Sequence, residues 1–504
     1  MTPPAKPVRR PVSPPPHIVR WSLLPHSMSL RGQTTHRILN PNDMNPGFWR
    51  GNGVRQSDAL QKIVQDAINA NGDLERLRFA IVDLSDNGRG VAFAGHNSTE
   101  QVFCGSMAKM ACVYAAHQLK FDLNALAADE PALTTKKALF DRAWEIWVKT
   151  QALDPAATVD KFDLDLSVQG SLVLKSGSIV QMSAGGQESY QNWNPKQPNP
   201  RADASPNLPA IFDVDESARP LKVTFKKSRD PKMLALLSPD EDTDYLLNPN
   251  NVNKKFKDRL SGFRFEAGHA ATYETLPADV KALFTVDSKD GVPFFERMLL
   301  MGDESNNHAT RTCVLDVGYL YIASALWQSG LFSTERKGGF WLGAPYVIGP
   351  GWITNPAPVP AAGSNDSRKY QCTTAATSAA YMTLLAQGRL ISEESSNEVK
   401  FVFDKVRTGH NYTGDSGTYP GNTKWLARSY IQDALGFDTD ELYSKIGYNW
   451  KVQHSDCAYI RHSHHGKELT YVMSFADLAV EDWHLVGDLV PALDQCILKY
   501  NTSP

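Results

Sequence analysis

From Ser106 to Leu119 small and apolar residues run almost the whole way round a helix. Met107, Ala108, Met110, Ala111, Val113, Tyr114, Ala115 and Ala116 leave no wide polar face. A helix of that kind belongs inside a protein. Ahead of it, RQSDALQKIVQDAINAN (55–71) repeats apolar positions at helical spacing and ends near Gly72. RLRFAIVDLS (76–85) reads as a strand and GVAFAG (90–95) as its return, with an Asn-Gly hairpin signal in the DNGRG turn between them. Helix, hairpin and buried helix therefore form one block, and helical spacing continues through 120–150.

The character then changes. DLDLSVQGSLVLKSGSIVQM (163–182) alternates as strands do, NWNPKQPNPRADASPNLP (192–209) is a proline-rich loop, and 220–275 is polar with little periodicity. Order returns at 292–331, which reads as two helices with a short polar corner. A loop-like stretch rich in glycine and proline follows (337–371), then two helices (373–390 and SEESSNEVKFVFDKV). The strands ELYSKIGYNWKV, CAYIRHS and ELTYVMSFAD come next, and EDWHLVGDLVPALDQCILKY closes the chain as a helix. No internal repeat is present.

Composition narrows the function. Of 504 residues, 42% are hydrophobic and 21% charged, with a net charge of −3. These are ordinary values for a globular protein. The balance gives no reason to expect nucleic acid as a partner, and no apolar run is long enough to suggest a membrane span. The six cysteines include no CxxC pair, so a zinc cage is not expected; their even number permits disulfides without arguing for them. The opening MTPPAKPVRRPVSPPPHIVRW is rich in proline and arginine, and the first acidic residue is Asp43. It lacks the apolar core of a secretory signal. A disordered tail over 1–45 and a cytoplasmic location are the expectations. His462, His464 and His465 cluster in IRHSHHGKE, where a solvated hairpin turn is expected rather than a metal site, because no acid or cysteine sits at ligand spacing.

Lys109 is the only formally charged side chain in the apolar stretch 106–119. A lysine in a dry place either has a partner or has a lowered pKa. It lies three residues after Ser106, on the same helix face. A serine beside a desolvated lysine is one way to make an alkoxide nucleophile. On this stretch alone a second reading stands beside the first: Lys109 snorkels to the surface and Ser106 merely caps the helix.

Two further signals follow in order. Ser305-Asn306-Asn307 lies at the corner between two helices, and Lys445-Ile446-Gly447 on a strand near the end. Ser395-Ser396-Asn397 also fits the second pattern, but Ser305 is preferred because an apolar helix precedes it and another follows. The order resembles the penicillin-recognising serine hydrolases, the class A β-lactamases and their D,D-peptidase relatives, whose motifs are SxxK, SxN and K[TS]G. The hairpin before the first motif, the helix TTAATSAAYMTLLAQGRLIS and the closing strands and helix extend the resemblance. It implies an α/β (α+β) fold of the β-lactamase/D,D-peptidase type. Such a fold has an antiparallel sheet flanked by helices plus an all-α subdomain. Here the hydrolase domain would span 46–149 and 276–504, with 150–275 as a long insertion.

Roles follow from the resemblance residue by residue. Ser106 would be the acylated nucleophile and Lys109 the group that takes its proton. Ser305 would pass a proton to the leaving nitrogen. Lys445 would orient Ser305 and attract a substrate carboxylate. Asn307 would hydrogen-bond a substrate amide, with Gly447 also at the substrate. The backbone N–H groups of Ser106 and Tyr448 would form the oxyanion hole. No cofactor is implied, and the partner is a small-molecule or peptide substrate. Taken singly, Lys445 also reads as an exposed strand lysine and Asn307 as a helix cap.

Three departures bear on activity. The segment 337–372, where class A enzymes carry the deacylating glutamate, has Asp366 as its only acid. Ile446 replaces the usual hydroxyl residue of the third motif. The separation of Ser106 from Ser305 is far longer than in a typical class A enzyme. The leading expectation is a serine hydrolase that cleaves an amide or ester and turns over β-lactams poorly. The alternatives are a true β-lactamase with a displaced base and a non-catalytic binding protein that retains the pocket.

Overall fold

The computed structural model describes residues 55–150, 206–227, 293–342, 371–404 and 441–503, with short breaks inside them and with the short strands β10 (Phe332–Ser333) and β11 (Gly338–Gly339) among them, and three further strands, β5 (Phe162–Asp163), β6 (Ser171–Leu174) and β7 (Ile179–Gln181). The expected tail, most of the 150–275 region and most of the acid-poor segment, Asp366 included, lie outside the described residues.

Strand β1 (Arg55–Gln56) leads into α1 (Asp58–Ala70). Ser57 caps that helix, its Oγ accepting from the Leu60 N–H at 3.2 Å. Leu60, Val64 and Ile68, four residues apart, form the buried face. The expected hairpin follows as β2 (Phe79–Asp83) and β3 (Ala92–His96), with Gly88 and Gly90 at positive φ in its turn. The closing strands are β13 (Glu441–Asn449), β14 (Gln453–His464) and β15 (Lys467–Ala479), and the final helix, here α9, spans Val486–Thr502.

These strands make one sheet in the order β1-β3-β2-β15-β14-β13, antiparallel except for the β1–β3 pair. Every residue of β2 is buried, because both faces of the sheet are covered. Successive strand residues point to opposite faces. Phe79 and Ile81 therefore enter a core with Leu60, Val64, Leu489 and Leu493 of α1 and α9. Ala80 and Val82 enter the larger core on the other side.

The larger core is built around α2 (Lys109–Asp129) and α7 (Ala375–Ala386). Around them lie α3 (Lys136–Thr150), α5 (Phe294–Gly302), α6 (Asn307–Val317) and α8 (Glu393–Phe403). α2 is buried nearly all round, as its composition requires, and its polar residues have partners. Tyr114 Oη donates to Gln118 Oε1 at 3.1 Å, and Gln118 Nε2 donates to Asp122 at 2.9 Å.

The region expected as an insertion is not peripheral throughout. A short helix α4 (Leu208–Ile211) and the hairpin β8 (Phe212–Asp215) and β9 (Lys222–Phe225) bury Leu208, Ile211, Phe212, Val223 and Phe225 in the larger core. Asn124 of α2 holds Val223 with a two-way amide pair at 3.0 and 2.9 Å. Phe225 stacks on Phe212, Phe294 and Phe295. The polarity of the flanking sequence hid this apolar piece.

A second difference concerns the histidine cluster. His462 and His464 lie on β14 rather than in a turn, and His462 is fully buried. Their acidic partner, Asp494, comes from α9 some 30 residues on, out of reach of any local spacing rule. His465 lies outside the described residues. No helix among the described residues is long and apolar enough to cross a membrane. All six cysteines are free and buried.

Helix α8 is fastened to α2 by charge. Lys120 Nζ donates to Glu398 at 2.6 Å, and His117 Nε2 lies 3.5 Å from the same carboxylate. Burial alone raises the Glu398 carboxyl; His117 and Lys120 outweigh it and hold it down at about 2. A depressed carboxyl stabilises the fold above its unfolded value, and that contribution is lost as pH falls through the folded value. Glu398→Gln is expected to cost about 1–3 kcal/mol at neutral pH, since it leaves Lys120 buried without its nearer anion. In chemical denaturation, the gap between wild type and variant should shrink as the pH is lowered from about 4.5 toward about 2. A constant gap would separate Glu398 from the linkage.

Candidate active site

The nucleophile candidate sits where a strand becomes a helix. Strand β4 (Val102–Phe103) pairs with β12 (Cys372–Thr373), and Cys104 N–H donates to the Gln371 carbonyl at 3.0 Å. Gly105 then turns the chain at φ 52°, and Gly105–Ala108 forms one 3-10 turn before α2 begins at Lys109. A 3-10 turn eclipses residues three apart. Half-buried Ser106 thus stands in line with Lys109 at the mouth of a buried helix. The first helical turn is tighter than the apolar pattern alone predicts.

Lys109 does not snorkel. Its side chain is 0% exposed. Nζ donates to the Ser305 carbonyl at 2.5 Å and lies 3.2 Å from Ser305 Oγ. Lys445 reaches the same hydroxyl from β13 at 2.6 Å and its own strand's Ile446 carbonyl at 3.3 Å. Burial first, and the Lys445 charge second, push Lys109 well below the ordinary lysine range. A neutral amine has two N–H groups, which match the two oxygens of Ser305, and one lone pair with which to take a proton.

Ser305 itself is buried at the corner between α5 and α6, with φ at 56°. A serine in this left-handed region costs about 1–2 kcal/mol and persists only where its surroundings fix it. Here two lysines donate to its oxygens. Asn307 is the first residue of α6. Asn306 lies outside the described residues.

The third motif has a steric reason for its glycine. A Cβ on Gly447 would lie 1.7 Å from the Cys104 carbonyl oxygen and 2.8 Å from the Met107 nitrogen. Strand β13 therefore passes directly against the turn that carries Ser106. Lys445 and Gly447, two apart, share one face, and Tyr448 follows on the strand next to that contact. Ile446 is half-buried and supplies no hydroxyl. Ser106, Lys109, Ser305, Lys445 and Gly447 are thus brought together from three separate stretches of chain.

The competing pattern is placed elsewhere. Ser395, Ser396 and Asn397 lie inside α8, where Ser396 Oγ accepts from the Leu390 N–H at 3.1 Å. One support went unseen in the sequence. Buried Gln101 forms a two-way amide pair with the Gly339 backbone, at 2.8 and 2.7 Å, and so pins the strand that leads to Ser106. Its partner is 238 residues away, and no local signal marks it. Among the described residues, no group of three or more His, Cys, Asp or Glu is arranged to hold a metal ion.

No family model matches the sequence, and no curated protein does. Solved structures similar to the chain include a β-lactamase from Sphaerobacter thermophilus, at 10% identity and a TM-score of 0.36, covering 88% of this chain and 97% of that one. PBP-A is similar at 11% identity and a TM-score of 0.38, covering 89% and 98%. A class A β-lactamase from Mycobacterium abscessus is similar at 9% identity and a TM-score of 0.39, covering 88% and 100%. With identities and TM-scores this low, the function rests on the chemistry of the site.

Gly447→Ala tests the close approach. The added methyl group must push β13 off the Ser106 turn, and a displacement of about 1 Å at a reacting centre costs about 100-fold. Covalent labelling of Ser106 by a reactive ester or penicillin should slow by at least that factor, while circular dichroism stays near wild type. Labelling at the wild-type rate would show that the contact is dispensable.

Proposed function

We propose that the chain is a serine hydrolase that cleaves an amide or ester through an acyl-enzyme on Ser106. The observation that carries this reading is the placement of two lysines, Lys109 and Lys445, on the one hydroxyl of Ser305, with Ser106 three residues before Lys109. A structural lysine gains nothing from full burial beside a second cation. A general base gains the neutral form it needs.

Neutral Lys109 takes the Ser106 hydroxyl proton while Oγ attacks the acyl carbon. The carbonyl oxygen becomes an oxyanion held by the backbone N–H groups of Ser106 and Tyr448, one at a helix mouth and one on the strand against it. Collapse of that intermediate expels the leaving nitrogen or oxygen. Ser305 gives it a proton and is reprotonated from Lys109, which returns to the neutral form. Lys445 keeps the Ser305 hydroxyl aimed and supplies a positive charge for a substrate carboxylate. Asn307 at the start of α6 serves the substrate amide. Water then hydrolyses the ester on Ser106. The segment 337–372 offers Asp366 as its only acid and no glutamate, so this last step is slow.

Intact mass after incubation with a fluorescent penicillin, beside Ser106→Ala, tests the reading. The expected result is an adduct that persists in the wild type and vanishes in the variant. Antibiotic hydrolysis without a lasting adduct would instead mean a β-lactamase with its deacylating base elsewhere. Neither adduct nor hydrolysis, with small esters and peptide amides also inert, would leave a binding protein.

The base has its own signature. Acylation requires the neutral amine, so its rate should climb with pH and level off well below the ordinary lysine range, as the lowered Lys109 demands. Lys109→Ala should reduce acylation by about 100- to 10,000-fold. A rate that rises only around the free-lysine value of about 10.4 would assign the base to another group.

A further inference from the structure

Strand β4 is only two residues long, yet the turn that carries Ser106 hangs from it. Its partner β12 is equally short, because Thr374 leaves the strand to cap α7, its Oγ1 accepting from the Thr377 N–H at 3.0 Å. The far edge of β12 is taken by Trp341, which exchanges two backbone hydrogen bonds with Cys372 at 2.8 and 3.0 Å. β4, β12 and the stretch that follows β11 thus lie side by side as a three-ply antiparallel ribbon. Its register sets Phe103 opposite Cys372 and Cys372 opposite Trp341. In an antiparallel ribbon that register also brings Gln101 and Gly339 level with Thr374, one on each side of it.

At that level the middle ply ends, since Thr374 starts the helix. The Gln101 side chain spans the two outer plies instead. Its Nε2 donates to the Gly339 carbonyl at 2.8 Å, and its Oε1 accepts from the Gly339 N–H at 2.7 Å. A primary amide offers the same donor and acceptor as a strand residue, so the side chain continues the ladder where the backbone has left it. Gly339 is fixed in its turn. Its φ of 121° is open to glycine, and a Cβ there would lie 2.6 Å from the Phe332 Cα. The next residue, Phe340, donates its N–H to the Leu331 carbonyl at 2.7 Å. Gln101, Gly339, Phe340 and Trp341 are all buried.

We propose that Gln101 is a positioning residue for acylation at Ser106, acting through β4. The proposal rests on the serine-hydrolase reading above. With the clasp closed, β4 is held at both ends: by Gln101 on Gly339 before it, and by the Cys104 N–H on the Gln371 carbonyl at 3.0 Å after it. Gly105 and Ser106 follow at once, so a slip of β4 passes straight to the Ser106 hydroxyl and N–H. Lys109 does not follow that slip, because burial of α2 and the Ser305 contacts hold it. An error of about 1 Å between reacting atoms costs about 100-fold in rate. The groups proposed to bind substrate, Asn307 and Lys445, stand on other segments. Loss of the clasp therefore lowers the rate of bond formation and leaves affinity for the ligand in place.

Gln101→Met keeps the length of the side chain and loses both hydrogen bonds. Labelling of the full chain with a fluorescent penicillin and with a reactive phenyl ester, over a range of concentrations, separates the limiting acylation rate from the concentration that gives half of it. In Gln101→Met the limiting rate should fall by at least about 10-fold, with the half-rate concentration within about twofold of wild type. Ser57→Ala is the stability control. It removes the cap of α1, on the opposite face of the sheet, and should lower the melting temperature while acylating as the wild type does. A wild-type limiting rate in Gln101→Met would overturn the proposal. So would an equal loss in Ser57→Ala, or a loss confined to the half-rate concentration. No adduct on wild-type Ser106 from either probe would overturn the hydrolase reading and this proposal together. Hydrogen exchange on the wild type gives a check that needs no variant. Acylation of Ser106 should slow exchange over residues 338–342 and leave residues 58–70 unchanged. No change over 338–342 would overturn the proposal.

Discussion

One oxygen atom joins the segments of the candidate site. Ser305 Oγ is met by a lysine from the mouth of α2 and by a lysine from β13, and the Ser305 carbonyl is met by the first of these. Both lysines converge on that one residue. Lys109 lies in a dry core, where an ammonium is costly. Ser305 holds a left-handed backbone at the point where they meet. The site is therefore a mutual constraint among three segments, each unfavourable alone.

The constraint reaches outward through packing. Gly447 brings β13 onto the Ser106 turn because no Cβ intervenes. β13 is held in register by β14, with Lys445 opposite Cys457, and β14 by β15, which pairs with β2 of the opening hairpin. On the other side, α2 is fixed by burial over nearly its whole surface and by Asn124 and Lys120. Ser106, at the end of a helix that cannot roll, has little freedom to drift. This is the preorganisation that positioning catalysis requires.

Much of this was legible in the sequence where a local rule applied. The spacing of Leu60, Val64 and Ile68, the Asn-Gly turn, and the absence of a polar face after Ser106 each predict what is observed. The three short motifs marked the residues that meet at Ser305. What stayed hidden depends on partners distant in the chain. Asp494 turns two histidines from surface residues into core residues. Gly339 gives Gln101 its role. Leu208, Val223 and Phe225 belong to the main core although polar sequence surrounds them. A pattern read along the chain records how often apolar residues recur; it does not record which remote backbone will accept a hydrogen bond.

The position of β15 between β2 and β14 has a consequence for the birth of the protein. Ser85 and Thr470, hydrogen-bonded neighbours across that seam, are 385 residues apart in the chain. The opening hairpin leaves the ribosome early and waits with one edge unpaired until almost the last strand has been made. Contacts this remote in sequence slow folding and leave apolar surface exposed meanwhile. Lys445 also arrives late, so the two lysines cannot meet on Ser305 before β13 has been made. The candidate site is thereby incomplete until translation has passed the final strands.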